Sequence, residues 1–316
     1  MDLAERIREG NHRALAKAIS LVEDRKPGYR SLLSRLYENE DKGQIIGITG
    51  SPGAGKSSLV NELVKEWRKA GKTVAIAAVD PTSPFSGGAL LGDRVRMRDH
   101  EEDDGVFVRS MGTRGSLGGL SESCQDVVRL MSASGFDLVI VETVGVGQSE
   151  LDIMKTADTV ALVLYPSGGD VIQAFKAGIM EIADLFIINK ADLPGVEQLK
   201  GELQDLLHIS ERAGKWLPPI VETISIEGKG MKEVVTSLTD HFHFLRSSDQ
   251  WTERRLSQRK LEVSRRLKEQ FMFEISPLIE HHFTQREGID ADPYDIAEQI
   301  FQRWKKGEVE ERRGLK

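Results

Sequence analysis

From residue 44 to about residue 244, short unbroken apolar runs alternate with stretches whose apolar residues recur at helical spacing. The runs are Gln44–Thr49, Thr73–Val79, Leu138–Val141, Thr159–Leu164, Leu185–Ile188 and Ile220–Ile224. Strands apolar at nearly every position, separated by helices, predict an α/β fold: a mostly parallel central sheet covered by helices on both faces. Residues 1–41 read as an N-terminal helical extension, with Leu15, Ala18, Ile19 and Val22 on one stripe and a break at Pro27-Gly28. Beyond Arg246 the texture changes to a charge-rich, long-period pattern over Trp251–Ile275, which Pro277 is expected to interrupt. A last helix is predicted over 293–305, with Ile296, Ile300 and Phe301 at helical spacing. The pattern thus divides the chain into 1–41, a central domain 42–246, and a helical arm 247–316. Apolar stripes on that arm can pack back on the core or pair with a second copy.

In a parallel sheet, ligands collect at the carboxyl ends of the strands. Ser51, Asp80, Glu142, Asn189 and Ser225 all fall there. The first strand runs into Gly50-Ser51-Pro52-Gly53-Ala54-Gly55-Lys56-Ser57, the phosphate-loop pattern G-x-x-x-x-G-K-[S/T], with Ser58 opening the helix-like Leu59–Trp67. Its glycines let backbone amides turn toward phosphate oxygens, and the helix N-terminus favours the anion. Lys56 is placed to reach the outer phosphates, and the Ser57 hydroxyl to coordinate magnesium. The run 185–188 ends in Asn189-Lys190-Ala191-Asp192, where Asp192 can accept two hydrogen bonds from the guanine ring edge; adenine offers no such donor pair. GTP and GDP are therefore the expected substrate and product.

Composition narrows the class without choosing it. Fifty acidic residues against 43 basic ones give a formal charge of −7, which supplies no overall attraction to nucleic acid. No apolar run approaches the roughly 18 residues that suggest a membrane span, and residues 1–6 lack the apolar core of a secretory signal. A lone cysteine, Cys124, excludes an internal disulfide and fits a reducing cytoplasm; it reads as a small core or helix residue rather than a reactive thiol.

Several acids stand where strand ends approach the phosphates. Glu142 is followed by Thr143-Val144-Gly145; such an acid reaches magnesium through water, and Gly145 offers its amide to the terminal phosphate. Asp80 and Asp93 can join the magnesium shell, although Asp80 before Pro81 also suits a turn and Asp93 a helix cap. The glycine-rich segments 112–119, with Arg114 near the centre, and 166–170 are candidate switches or surface connections. No general base is evident; Gln148 is the nearest candidate to orient water.

The run Val141-Glu142-Thr143-Val144-Gly145-Val146-Gly147-Gln148-Ser149-Glu150 resembles the signature of the MeaB/ArgK-type GTPases, chaperones of adenosylcobalamin-dependent acyl-CoA mutases. Val79–Ser83, Gly87–Arg94 and Thr113–Gly119 match the same family. The resemblance implies a magnesium-dependent GTPase that is dimeric through its C-terminal arm, gates cobalamin loading, and protects or reactivates the mutase. It assigns the magnesium acids to Asp80, Asp93 and Glu142, and a partner-facing switch to 168–178, with Lys176 as its contact lysine. Here Asp170–Phe175 replaces the family's usual acidic, glycine-containing stretch. That leaves the partner open between methylmalonyl-CoA mutase, the first expectation, and the isobutyryl-CoA and 2-hydroxyisobutyryl-CoA mutases. Cys/His clusters suited to metal delivery and the D-x-H-x-x-G pattern of cobalamin domains are absent from the sequence. The same family has also been labelled as protein kinases of an amino-acid transport system, which is the alternative activity.

Overall fold

The computed structural model describes residues 2–37, 43–80, 100, 102–112, 122–143, 152–166, 179–209, 216–284 and 292–307. They form two compact units, 1–251 and 252–316. The first opens with α1 (Leu3–Arg8), α2 (His12–Glu23) and α3 (Tyr29–Leu36). There follow β1 (Gln44–Gly50), α4 (Lys56–Lys69), β2 (Val74–Asp80), β3 (Val106–Gly112), α5 (Glu122–Ala133), β4 (Leu138–Glu142) and β5 (Thr159–Leu164). The unit continues with α6 (Ile179–Ile182), β6 (Leu185–Asn189), α7 (Val196–Ile209), β7 (Ile220–Thr223) and α8 (Met231–Ser247). Helices α9 (Gln250–Thr284) and α10 (Pro293–Lys305) follow.

The seven strands make one sheet in the order β3-β2-β4-β1-β5-β6-β7, parallel at every pairing. Side chains alternate across each strand, so one face receives Ile45, Ala75, Ala77, Val139 and Val141, packed with α1, α2, α3 and α5. The other receives Ile46, Ile48, Ile76 and Ile140, packed with Leu59, Val60, Leu63 and Val64 of α4 and with α8. Burial on both faces is why these strands are apolar without alternation. Strand β1 sits between β4 and β5, so connections diverge from it on either side; at such a switch point the ligand crevice of a parallel sheet lies outside the strand's carboxyl end.

The opposite end of the sheet is tied by a buried polar network. Gln44 Nε2 donates to Thr159 Oγ1 (3.0 Å) and to the Leu238 carbonyl (3.1 Å), and Thr159 Oγ1 lies 2.9 Å from His241 Nδ1. His241 Nε2 is 3.3 Å from Asp184 Oδ1, while Asp184 Oδ2 accepts from the Val160 amide (2.9 Å). These bonds hold α8 in register on the strands without contributing to the crevice.

Two features depart from the sequence expectations. Strand β3 was not among the predicted runs. In the second unit, α9 continues through Pro277 without interruption. Proline removes one helical hydrogen bond, but Ile275 and Leu278 on either side pack against Ile296 and Ile300 of α10, joined by Phe271 and Trp304. Trp304 Nε1 also donates to Glu274 Oε2 (2.9 Å). That packing offsets the lost bond. Cys124 is fully buried in α5, and burial, reinforced by Glu23 and Asp126, pushes its thiol up to about 12, so it is an inert core residue.

Candidate functional site

The phosphate loop begins where β1 ends. Gly50 adopts φ 140°, and a Cβ there would run into the Val163 carbonyl of neighbouring β5. Gly53 (φ 79°) and Gly55 (φ 86°) are in the left-handed region, which turns the loop back into α4. A Cβ on Gly55 would overlap Asn189 Nδ2. Gly55→Ala is therefore expected to reduce nucleotide affinity by more than about tenfold, since it adds a strained φ to a clash; titration with a fluorescent guanine nucleotide checks it.

Lys56 and Ser57 open α4 and are both buried. The Lys56 ammonium curls back over the loop, donating to the carbonyls of Gly50 (2.7 Å) and Ser51 (3.0 Å). The Ser57 hydroxyl donates to Glu142 Oε1 at 2.6 Å. Glu142 is the last residue of β4 and 4% exposed, so the strand delivers its carboxylate directly beneath the helix start. A hydroxyl and a carboxylate this close, both hard oxygen donors, fit a magnesium ion that keeps most of its water. Behind them, the Thr143 amide extends the ladder to the Ile48 carbonyl (3.0 Å), and its hydroxyl donates to Thr49 Oγ1 (2.9 Å).

Asn189 links the phosphate loop to the far end of the crevice. Its Nδ2 donates to the Ala54 carbonyl (2.7 Å), and its Oδ1 accepts from Thr223 Oγ1 (3.1 Å), Ser225 Oγ (2.8 Å) and the Ser225 amide (3.2 Å). One buried amide thus ties two other segments, the phosphate loop and 223–225, to the end of β6. Lys190 follows at φ 58°, and Asp192 is exposed on the loop before α7. Glu227, by hydrogen bond and charge, raises the Lys229 ammonium above the usual lysine range, and Asp192 adds in the same direction. Asp192 therefore lies within electrostatic reach of the Lys229 ammonium.

The structure brings together Gly50 to Ser58, Glu142, Asn189, Lys190, Asp192 and Ser225 at one edge of the sheet, and Asp80 is the last residue of β2 at that same edge. Asp93, Gly145 and Lys176 lie outside the described residues, as do Arg114 and Gln148. Thr223 and Tyr165 were not singled out in the sequence. Both stand at carboxyl ends of strands, which was the one signal available.

A parallel sheet with a phosphate loop after its central strand and Asn-Lys-x-Asp after another defines the P-loop GTPases. The family model described as methylmalonyl-CoA mutase-associated GTPase MeaB matches residues 15–277, and the chain belongs to that family. It is similar to a putative GTPase of Pyrococcus horikoshii, 44% identical over 96% of this chain and 97% of the relative. GTPase ArgK of Escherichia coli is 37% identical over 74% of this chain and 73% of its own length. The mitochondrial methylmalonic aciduria type A homolog of Caenorhabditis elegans is 34% identical over 88% of this chain and 75% of its own length. Among solved structures, one described as a LAO/AO transport system kinase superposes with a TM-score of 0.70 at 26% identity, covering 96% of each chain. The protein is a P-loop GTPase that binds guanine nucleotide.

Proposed function

We propose that this GTPase is magnesium-dependent and serves as a chaperone of an adenosylcobalamin-dependent acyl-CoA mutase in the cytoplasm, gating cofactor loading and protecting or reactivating the enzyme. The observation that carries the reading is the match of residues 15–277 to a family described as mutase-associated; the methylmalonic aciduria relative supports it. Methylmalonyl-CoA mutase is the first candidate partner, with the isobutyryl-CoA and 2-hydroxyisobutyryl-CoA mutases as alternatives. Ser57 and Glu142 would hold the metal, with Asp80 and Asp93 as further acids. The bound ion would neutralise charge on the phosphates. Lys56 would meet the outer phosphates, Gly145 would offer its amide to the terminal one, and Asp192 would read the base.

The protein is proposed to act as a homodimer through the second unit. An apolar groove of about 950 Å³ there, lined by Phe271, Ile279, Phe283, Pro293, Tyr294 and Phe301, supports a second copy as its occupant.

Intrinsic hydrolysis is expected to be slow and to rise when the mutase is added. A partner that completes an unfinished site is worth about 10³–10⁵ in rate where it supplies an arginine. Phosphate release measured with and without each candidate mutase tests this, and Lys176→Ala should lower the stimulated rate. If none of the three mutases stimulates hydrolysis, the chaperone reading is wrong. The solved relative described as a transport-system kinase supports a second reading, phosphoryl transfer to a protein. Labelled GTP incubated with candidate acceptors separates the two, because only the kinase leaves stable phosphoprotein.

A further inference from the structure

We propose that Tyr165 is a positioning residue for guanine recognition: its ring holds the Lys190 side chain in place as one wall of the base slot. The inference rests on the guanine-nucleotide reading of Asn189, Lys190 and Asp192.

Lys190 stands in an unusual backbone state. Among the described residues, only it and Arg25 are non-glycine residues with positive φ, at 58° and 49°. Side chains at such angles crowd their own backbone, so the surroundings must hold them there. The neighbours of Lys190 do so. Asn189 is fixed by its four hydrogen bonds, and the Ala191 amide donates to the Thr223 carbonyl (3.0 Å). The Leu193 amide then closes the turn on the Lys190 carbonyl (3.0 Å). With its backbone pinned on both sides, the Cα–Cβ bond of Lys190 has a fixed direction.

That direction leads to Tyr165. The Lys190 ammonium lies 4.8 Å from the centre of the Tyr165 ring, within cation–π range. Tyr165 follows directly on β5, and β5 pairs with β6 up to Leu164 and Ile188, so the ring and the recognition loop leave adjacent strands. The ring is itself half-buried against the core cluster that includes α4. The next residue lies beside the other end of the same loop: a Cβ on Gly195, at φ 99°, would stand in ordinary van der Waals contact with Pro166, 3.4 Å from the proline Cβ. Tyr165-Pro166 therefore runs alongside the loop, touching it at Lys190 and lying next to it at Gly195.

A lysine stem has many rotamers, and each one lost on binding weakens the ligand. The ring confines the stem before the base arrives. What the base then meets is a preset hydrocarbon surface, beside the carboxylate of Asp192. Tyr165 acts through Lys190, so its removal should weaken base binding and leave the phosphate end of the site untouched.

The test compares parent, Tyr165→Leu, Tyr165→Phe and Lys190→Met for GDP affinity, steady-state GTP hydrolysis, and inhibition by inorganic tripolyphosphate, which has no base. Tyr165→Leu should weaken GDP about five- to tenfold, raise KM by a similar factor, and leave kcat and the tripolyphosphate inhibition constant within about twofold. Tyr165→Phe should match the parent, because it keeps the ring. Lys190→Met removes the ammonium from an otherwise similar stem; it should lose as much as Tyr165→Leu, and the double variant no more than either. Unchanged GDP affinity in Tyr165→Leu, an additive double variant, or a parallel loss of tripolyphosphate binding would overturn the proposal. A parent protein that binds ADP as tightly as GDP would instead remove the guanine reading beneath it.

Discussion

Lys56→Ala is expected to abolish measurable GTP hydrolysis in a protein that stays folded. The Lys56 ammonium is buried at the start of α4 and held on the Gly50 and Ser51 carbonyls, so it is already positioned at the mouth of the phosphate loop. In phosphoryl transfer the protein does little covalent chemistry, and its work is placing charge where charge develops. Removing a single preorganised donor from such a site costs about 10²–10³ in kcat, and here the donor carries a full positive charge in a buried pocket. Water admitted to the gap cannot replace it, because water must reorient as the transition state forms. The stability cost is limited to two charge-assisted hydrogen bonds to loop carbonyls, about 1.5–3 kcal/mol each, offset by relief of the cost of burying the ammonium, while the packing of Leu59, Val60 and Leu63 remains. Phosphate release should fall to background while the circular dichroism spectrum and unfolding temperature stay close to the parent's. Parent-like hydrolysis by a folded, contaminant-free Lys56→Ala protein would sink the assignment of this loop.

The apolar runs that announced β1, β2 and β4 to β6 were legible because those strands lie inside the sheet, where burial on both faces removes polar positions; β7, an edge strand and mostly only partly buried, was still marked by Ile220, Val221 and Ile224. Strand β3 escaped notice for the converse reason. It is an edge strand paired only with β2, most of its residues are only partly buried, and Arg109 and Ser110 break its apolar run. Arg109 is there because it pairs with Glu23 of α2, a contact between residues far apart in sequence. The uninterrupted passage of α9 through Pro277 has a similar origin. Local propensity argues for a break, and packing on α10, supplied by residues Ile296 and Ile300, overrides it.

The site was legible to a different depth. Spacing alone was enough to put Lys56 and Ser57 at the start of α4 behind the phosphate loop and Glu142 at a strand end. No local pattern, however, states that Asn189 will accept from Thr223 and Ser225 while donating to Ala54. Those partners are joined only once β1, β6 and β7 are in one sheet. Tyr165 shows the same limit more sharply: its relevance comes from the adjacency of β5 and β6, and no motif marks it.

The second large effect is expected at Asp192. The parent protein should prefer GTP to ATP by at least about a hundredfold, and Asp192→Asn should weaken GTP by a similar factor while improving xanthosine triphosphate. A carboxylate can accept from both ring-edge donors of guanine, and charge-assisted bonds contribute about 1.5–3 kcal/mol each. Asp192 is exposed on its loop, so each bond belongs at the weaker end of that range. Two of them still reach the roughly 2.7 kcal/mol that a hundredfold requires. Adenine is penalised further, because it carries no donor pair to meet a carboxylate that binding desolvates. Asparagine has almost the same shape but turns one acceptor into a donor. That mismatches the guanine amine and matches the carbonyl that xanthine carries in its place. The neighbouring Lys229 is engaged with Glu227 at 2.6 Å, so loss of the Asp192 charge leaves that pair intact. Calorimetric titration of parent and variant with GTP, ATP and xanthosine triphosphate in magnesium buffer reads all three affinities. Equal ATP and GTP affinity in the parent would end this account of base recognition, and unchanged GTP affinity in Asp192→Asn would move it to another residue.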